Sequence, residues 1–225
     1  MAARVISGTI DPTALTRDRS EVLAAYDVSR ETAARLDRFV ELLLQWQPKL
    51  NLIGPSTVSS LWTRHVADSL QLLTLPDAKT ARIWVDLGSG AGFPGLVIAC
   101  TLVDRPGTTV HLIESHNKKA AFLREAARHT CAPAEVHAGR IEEIGLSLAS
   151  IAQVITARAL APLDALLALV SLVMTKDSVA LLMKGQDMEQ EMRQATRNWK
   201  MEADIVPSRT SAKGQILVVR KLQRR

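Results

Sequence analysis

Cysteine is scarce in this 225-residue chain: Cys100 and Cys131 are the only two, and neither sits in a CxxC pair or a closely spaced His/Cys cluster. That scarcity argues against a structural zinc site and fits a reduced, cytoplasmic setting. Long apolar runs are missing as well. The longest are about ten residues, far short of a membrane span. No apolar stretch of signal-peptide type follows Arg4, and charges punctuate the first forty residues, so a secretory leader is not expected. Polar low-complexity tracts are too few to suggest disorder. No G-x-S-x-G serine elbow accompanies the His65/Asp68 pair, which removes the hydrolase reading. The four tryptophans, Trp46, Trp62, Trp84 and Trp199, are dispersed and read as core or interface residues rather than a stacking platform.

What is present fits one substantial domain with a smaller N-terminal part. Apolar residues make up 47% of the chain and charged residues 23%, an ordinary globular balance. The formal charge is +5, mild for a nucleic-acid binder. Its distribution is uneven, because Lys213, Arg220, Lys221, Arg224 and Arg225 crowd the C-terminal end. Such a tail is either a solvated end or a contact for nucleic acid.

From Ser29, a candidate N-cap, the spacing of Ala33, Leu36, Phe39, Val40, Leu43 and Leu44 predicts a helix that Pro48 should stop. A second helix is expected from about Ser59 to Leu73. Residues 1–80 then form an N-terminal helical appendage to a domain over 81–225. Strands are expected at Arg82–Leu87, Thr109–Glu114, Glu135–His137, Ala152–Thr156 and Val179–Met183. Between them lie helices at Pro94–Val103, Lys118–His129 and Pro162–Val173. The chain then reads as helical to about Trp199, followed by late, antiparallel strands around Ile205 and Gln215–Arg220. The alternation predicts an α/β fold with a mostly parallel sheet and helices on both faces.

The stretch VDLGSGAGFPG, residues 85–95, follows the first strand. Gly88, Gly90 and Gly92 let the backbone turn sharply and approach a ligand, with Pro94 near the start of the next helix. GAGFPG matches the dinucleotide pattern GxGxxG literally. Asp86 and Glu114 end neighbouring strands, so both carboxylates emerge at the ligand edge of the sheet. One can orient an ammonium or a water network, and the other can accept ribose hydroxyls. The pattern suits S-adenosylmethionine, a nucleoside with an amino-acid tail, and leaves as alternatives NAD(P)-dependent oxidoreduction or methyl transfer to another RNA or a small molecule. Lys118, Lys119 and Arg124 follow Glu114 and present either a phosphate-binding or a solvated helix face.

Six motifs in order, NLIGPSTVSSLWTRHVADSLQLL, VDLGSGAGFPGLVIA, HLIESHNKKAAFLREAAR, HAGRIEE, TARAL and LLMKG, carry a closer likeness. Over roughly residues 36–185 the sequence resembles the bacterial small-subunit ribosomal RNA methyltransferase G family, also called glucose-inhibited division protein B. The resemblance implies a Rossmann-like class I methyltransferase that uses S-adenosylmethionine to methylate N7 of guanosine 527 in 16S rRNA. It implies cofactor contacts at Gly88, Phe93, Ile141, Glu142 and Arg158, while Asp86, Gly90, Gly92 and Glu114 match the wider methyltransferase pattern. The family commonly has Phe-Asp where this chain has Ala152-Gln153.

Ile141 is then the apolar surface for adenine, Glu142 a reader of its amine edge, and Phe93 a packing surface for cofactor or base. Guanine N7 carries a lone pair and no proton, so no general base is expected, and neither is a metal. Arg158 and Lys184 stand at the ligand edge for phosphate or guanine O6. Asn51, Arg64, His65 and Asp68 order the appendage, with Asp68 paired to Arg64 and His65 along one helix. The implied partner is 16S rRNA in the small subunit or an assembly intermediate, met by a cytoplasmic monomer with no membrane contact.

Overall fold

The computed structural model describes residues 11–225. Helices α1 (Pro12–Ala25) and α2 (Arg30–Leu50) come first, and a broken segment containing the single turn α3 (Asp68–Leu70) leads into the sheet. The strands are β1 (Ile83–Leu87), β2 (Thr109–Glu114), β3 (Ala134–Ala138), β4 (Val154–Arg158), β5 (Val179–Lys184), β6 (Trp199–Pro207) and β7 (Gln215–Arg224). Their order is β3-β2-β1-β4-β5-β7-β6. β1 to β5 pair in parallel, and β7 runs antiparallel to both β5 and β6. The chain order reverses between β1 and β4, which opens the ligand crevice at the carboxyl ends of those strands.

Alternation along each strand divides the interior in two. Trp84, Leu112, Leu181 and Val218 join one core, together with α2, α4 (Gly95–Thr101) and α5 (Asn117–Thr130). Val85, Ile113, Leu182 and Leu217 join the other, with α6 (Ile141–Leu148), α7 (Leu163–Ser171) and α8 (Met188–Asn198). Helices therefore cover both faces, as the alternation predicts. The N-terminal helices share the first core, where Leu36, Phe39 and Leu43 of α2 are fully buried. Among the described residues no helix is long and apolar enough to cross a membrane.

Several local expectations need correction. Ser29 does cap α2, accepting from Thr32 N at 3.2 Å, but Pro48 does not stop it. Pro48 falls within the last turn, and the helix closes at Asn51 in the left-handed region (φ 45°) with its N–H on Gln47 O. Leu42 is buried in place of Leu44, which is half-buried. Helix α6 was not anticipated from sequence, and β4 starts two residues later than expected. Gln153 instead uses its side-chain oxygen to accept from Arg82 N and Ile83 N at the start of β1.

The expected helix from Ser59 is replaced by a 3-10 stretch (Pro55–Ser60), a π-type stretch (Trp62–Ala67), α3 and another 3-10 stretch (Gln71–Thr74). The π-type stretch starts without a cap of its own. Asp18 of α1 supplies one from outside, accepting from Trp62 N at 2.8 Å and Thr63 N at 3.1 Å.

The basic C-terminal end is not a free arm. Arg220 of β7 pairs with Asp77 and Asp204 at 2.6 and 2.7 Å, and Lys221 pairs with Glu202 at 2.7 Å.

Candidate functional site

The turn after β1 is held from both sides by the two strand-end carboxylates, which do different work. Glu114 is buried at the end of β2. Its Oε2 accepts from Gly90 N at 2.8 Å and its Oε1 from His116 N at 2.7 Å. Each oxygen keeps lone-pair capacity, and the side chain lines an open cleft of about 580 Å³. Asp86 lies behind the turn and outside the cleft lining, 1% exposed. It accepts from Thr156 Oγ1 at 2.7 Å and from Gly95 N at 3.2 Å, so it fixes the entry of α4. Burial pushes its carboxyl up to about 6, against the hydrogen bonds from Thr156, Ser89 and Gly95.

The glycines divide in the same way. A Cβ on Gly90 (φ +55°) would find only Gly88 O, 3.7 Å away, which leaves the cleft open above it. Gly88 (φ +66°) also lines the cleft, beneath Leu160. Gly92 faces inward instead: a Cβ there would stand 3.1 Å from both Leu96 Cβ and Phe39 Cζ. The space beside it is taken by packing. Gly95 was not singled out from sequence, yet a Cβ there would lie 2.4 Å from Leu112 Cδ2 and 2.6 Å from Asp86 Oδ2.

The far wall comes from α6 and β4. Ile141 and Glu142, at the start of α6, and Arg158, at the end of β4, all line the cleft. Glu142 is exposed and pairs with Arg140 at 3.1 Å. Its own backbone N–H and then Arg140 hold its carboxyl below the usual carboxylate range. Seven of the nine sequence-predicted residues thus meet here, and Asp86 and Gly92 support them from behind.

The N-terminal segment forms the roof. Leu52, Ile53 and Gly54 reach the cleft because the buried Gln47 amide pairs with the Ile53 backbone, Nε2 to O at 2.6 Å and N to Oε1 at 3.0 Å. Replacing Gln47 by Leu strands both Ile53 groups. The variant is expected to be about 2 kcal/mol less stable in urea unfolding, with weaker ligand binding because the roof loosens.

Beside the roof, His65 stacks on Phe93 with centroids 4.9 Å apart and planes inclined by 29°. Arg158 donates to His65 Nδ1 at 2.7 Å, which makes Nε2 the protonated nitrogen, donating to Thr57 Oγ1 at 2.8 Å. Thr57 in turn donates to Gly54 O at 2.8 Å. Burial first, then Arg158 and Arg64, push the imidazole down to about 3, so it is neutral at physiological pH.

The predicted Asp68 pairs with Arg64 and His65 are not formed. Asp68 instead faces Arg158 at 3.5 Å. Asp68 also accepts from Thr210 Oγ1 at 2.6 Å and Gln71 Nε2 at 2.7 Å. Arg64 is left exposed.

Arg158 and Ala159 also line a second cleft, of about 520 Å³, together with Arg64, Asp68 and Lys213. Lys184 stands at its edge but is not a free cation: it is bound to Glu191 at 2.6 Å and to Ala161 O at 3.1 Å. Lys118 and Arg124 are exposed on α5, and Lys119 reaches the first cleft.

A family model described as rRNA small subunit methyltransferase G matches residues 32–220. The ribosomal RNA small subunit methyltransferase G of Bradyrhizobium sp. strain BTAi1 is 49% identical over 219 residues, covering 97% of each chain. That of Nitrobacter winogradskyi is 50% identical over 208 residues, 92% of this chain and 74% of its own. Among solved structures, an O-methyltransferase from Bacillus cereus in complex with SAH is similar at a TM-score of 0.59 and 16% identity, covering 93% of this chain and 99% of its own. The O-methyltransferase TomG from Streptomyces achromogenes, in complex with SAM, gives 0.57 at 13% identity, with coverages of 92% and 98%. At such identities these two structures speak to the fold alone.

Proposed function

The chain belongs to the rRNA small subunit methyltransferase G family, and from that premise we propose that it transfers a methyl group from S-adenosylmethionine to N7 of guanosine 527 in 16S rRNA. The observation that carries the reading is the shared wall. Arg158 lines both clefts, so a donor bound in one and a base presented from the other meet beside its guanidinium. The NAD(P) alternative rested on a literal GxGxxG match and gives way to the family match.

The first cleft fits the cofactor on its own residues: an open backbone cradle at Gly90 and a buried carboxylate with lone pairs to spare at Glu114. S-adenosylmethionine, when bound, supplies an electrophilic methyl carbon. Glu114 accepts the ribose hydroxyls, Ile141 packs on adenine, and Glu142 and Arg140 border its amine edge. Gly88 and Gly90 admit the ligand close to the backbone, with Asp86 and Gly92 holding the turn beneath. Phe93 and the neutral His65 form an apolar roof that excludes water. His65 spends its Nδ1 lone pair on Arg158, so it offers no base, and guanine N7 requires none. The protein's contribution is then alignment. Arg158, with Arg64 and Lys213 beyond it, holds the phosphates or the O6 edge of the target.

On this reading the N-terminal appendage, expected over 1–80 with residues 1–10 outside the described ones, acts through its residues 11–80 as the roof over a catalytic domain at 81–225. The protein works as a monomer in the cytoplasm on the small subunit or an assembly intermediate.

The test uses small subunits and deproteinised 16S rRNA from cells lacking the modification, with methyl-labelled S-adenosylmethionine. Nucleotide-resolution mapping is expected to find one N7-methylguanosine, at position 527. Label at another nucleotide, or none on either substrate, overturns the proposal.

A further inference from the structure

Away from the cofactor cleft, at the β3 edge of the sheet, three ligand-type side chains converge. The parallel register sets His111 of β2 directly against Glu135 of β3, and His137, two residues further on, points to the same face. His111 Nδ1 lies 3.0 Å from His137 Nε2 and 3.5 Å from a Glu135 carboxylate oxygen. The three donor atoms lie within 4.8 Å of one another, the only such cluster found among the described residues. His111 is buried, His137 half-buried, and the Glu135 side chain 63% exposed, so the cluster opens to solvent at the sheet edge.

We propose that His111, Glu135 and His137 bind a zinc-class divalent cation that clips the edge strand β3 to β2. One proton on His111 Nδ1 can be given to either the imidazole or the carboxylate, and the acceptor left out keeps a lone pair aimed at the same point. A cation serves all three atoms at once. Two imidazole nitrogens on a tetrahedral zinc, each at about 2.0–2.1 Å, stand about 3.3 Å apart, so the observed 3.0 Å needs only a slight opening. Two imidazoles and one carboxylate suit zinc, nickel or copper rather than magnesium or calcium. A water completes the coordination from the exposed side. The sequence reading that scarce cysteine argues against a structural zinc site missed this set, because its members are 24 and 26 residues from His111.

The test is equilibrium zinc titration of tag-free protein stripped with a chelator. The native protein is expected to take up one zinc ion saturably and to melt at a higher temperature when loaded. Glu135→Ala and His137→Ala should each bind at least about tenfold more weakly and lose the zinc-dependent rise in Tm. His129→Ala removes the α5 surface histidine that faces Glu125 at 4.0 Å, and should bind as the native protein does. Since Glu135 is mostly exposed, its variant stays informative if His137→Ala fails to fold. Absence of saturable one-to-one uptake by the native protein overturns the proposal, as does equal affinity in native and Glu135→Ala proteins.

Discussion

A Gly90→Asp protein is expected to fold and yet to bind S-adenosylmethionine at least about 100-fold more weakly, with methyl transfer to rRNA falling below detection. The fold survives because a Cβ at Gly90 meets nothing closer than Gly88 O at 3.7 Å, and because aspartate tolerates the left-handed region better than most residues, at about 1–2 kcal/mol. The backbone N–H still reaches Glu114. Ligand is lost because the new carboxylate projects into the cleft next to the Glu114 carboxylate, in the space the ribose needs. A hundredfold loss corresponds to about 2.7 kcal/mol, the cost of a side chain that fills the space the ribose would occupy. Gly92→Ala is the contrast. Its Cβ presses on Leu96 and Phe39 at 3.1 Å, so urea unfolding should register the change while the cleft lining is untouched. Calorimetric titration with the cofactor checks the first variant, and native affinity there would mean that the cleft is not the cofactor site.

The contrast between Gly90 and Gly92 marks how far the sequence could be read. The run of glycines after a β-branched strand announced a ligand turn, and strand alternation announced which residues are core: Trp84 and Val85 do enter opposite interiors. The glycine turn and the strand end pointed to Gly90 and Glu114, and the family resemblance to Gly88, Phe93, Ile141, Glu142 and Arg158; all line one cleft. What stayed hidden depends on contacts between distant segments. Asp86 and Glu114 end adjacent strands and look equivalent in one dimension, but the Asp86 carboxylate is consumed by Gly95 N of α4 and Thr156 of β4, whereas that of Glu114 lines the cleft. The partners of Asp68 lie far off in the chain, Arg158 at the end of β4 and Thr210 after β6, where helix spacing offers no signal. Arg220 and Lys221 looked free because Asp77, Asp204 and Glu202 reach them through the β6–β7 hairpin and the N-terminal segment. The His111 cluster appears only once the parallel register of β2 and β3 is known.

Asp86 and His65 are expected to tilt the pH dependence of stability in opposite directions. The carboxyl of Asp86 is raised from 3.8 to about 6 in the folded protein. Between those values the native state holds a proton that the unfolded chain has released, so stability falls as pH rises through about 6. The descent from pH 4 to pH 7 is of order 3 kcal/mol at 1.36 kcal/mol per unit. His65 is lowered from 6.5 to about 3. Here the unfolded chain binds the extra proton, so stability is fully present above pH 6.5 and is lost as pH falls towards 3, by about 5 kcal/mol. Over pH 4–6 the two slopes oppose each other, one proton against one. Asp86→Asn, which cannot ionise, should therefore gain stability more steeply than the native protein as pH rises from 4 to 6. His65→Asn, which keeps an acceptor for Arg158 but takes up no proton, should gain less. Urea unfolding across pH 4–7.5, compared as differences from the native curve, isolates the two groups from the other carboxylates. Difference curves that run parallel to the pH axis would mean that neither group is held in the protonation state its surroundings impose. Neutral His65 and the buried Asp86 are the two ends of one arrangement: the first lets a guanidinium lie against an aromatic roof, and the second anchors the turn that the roof covers.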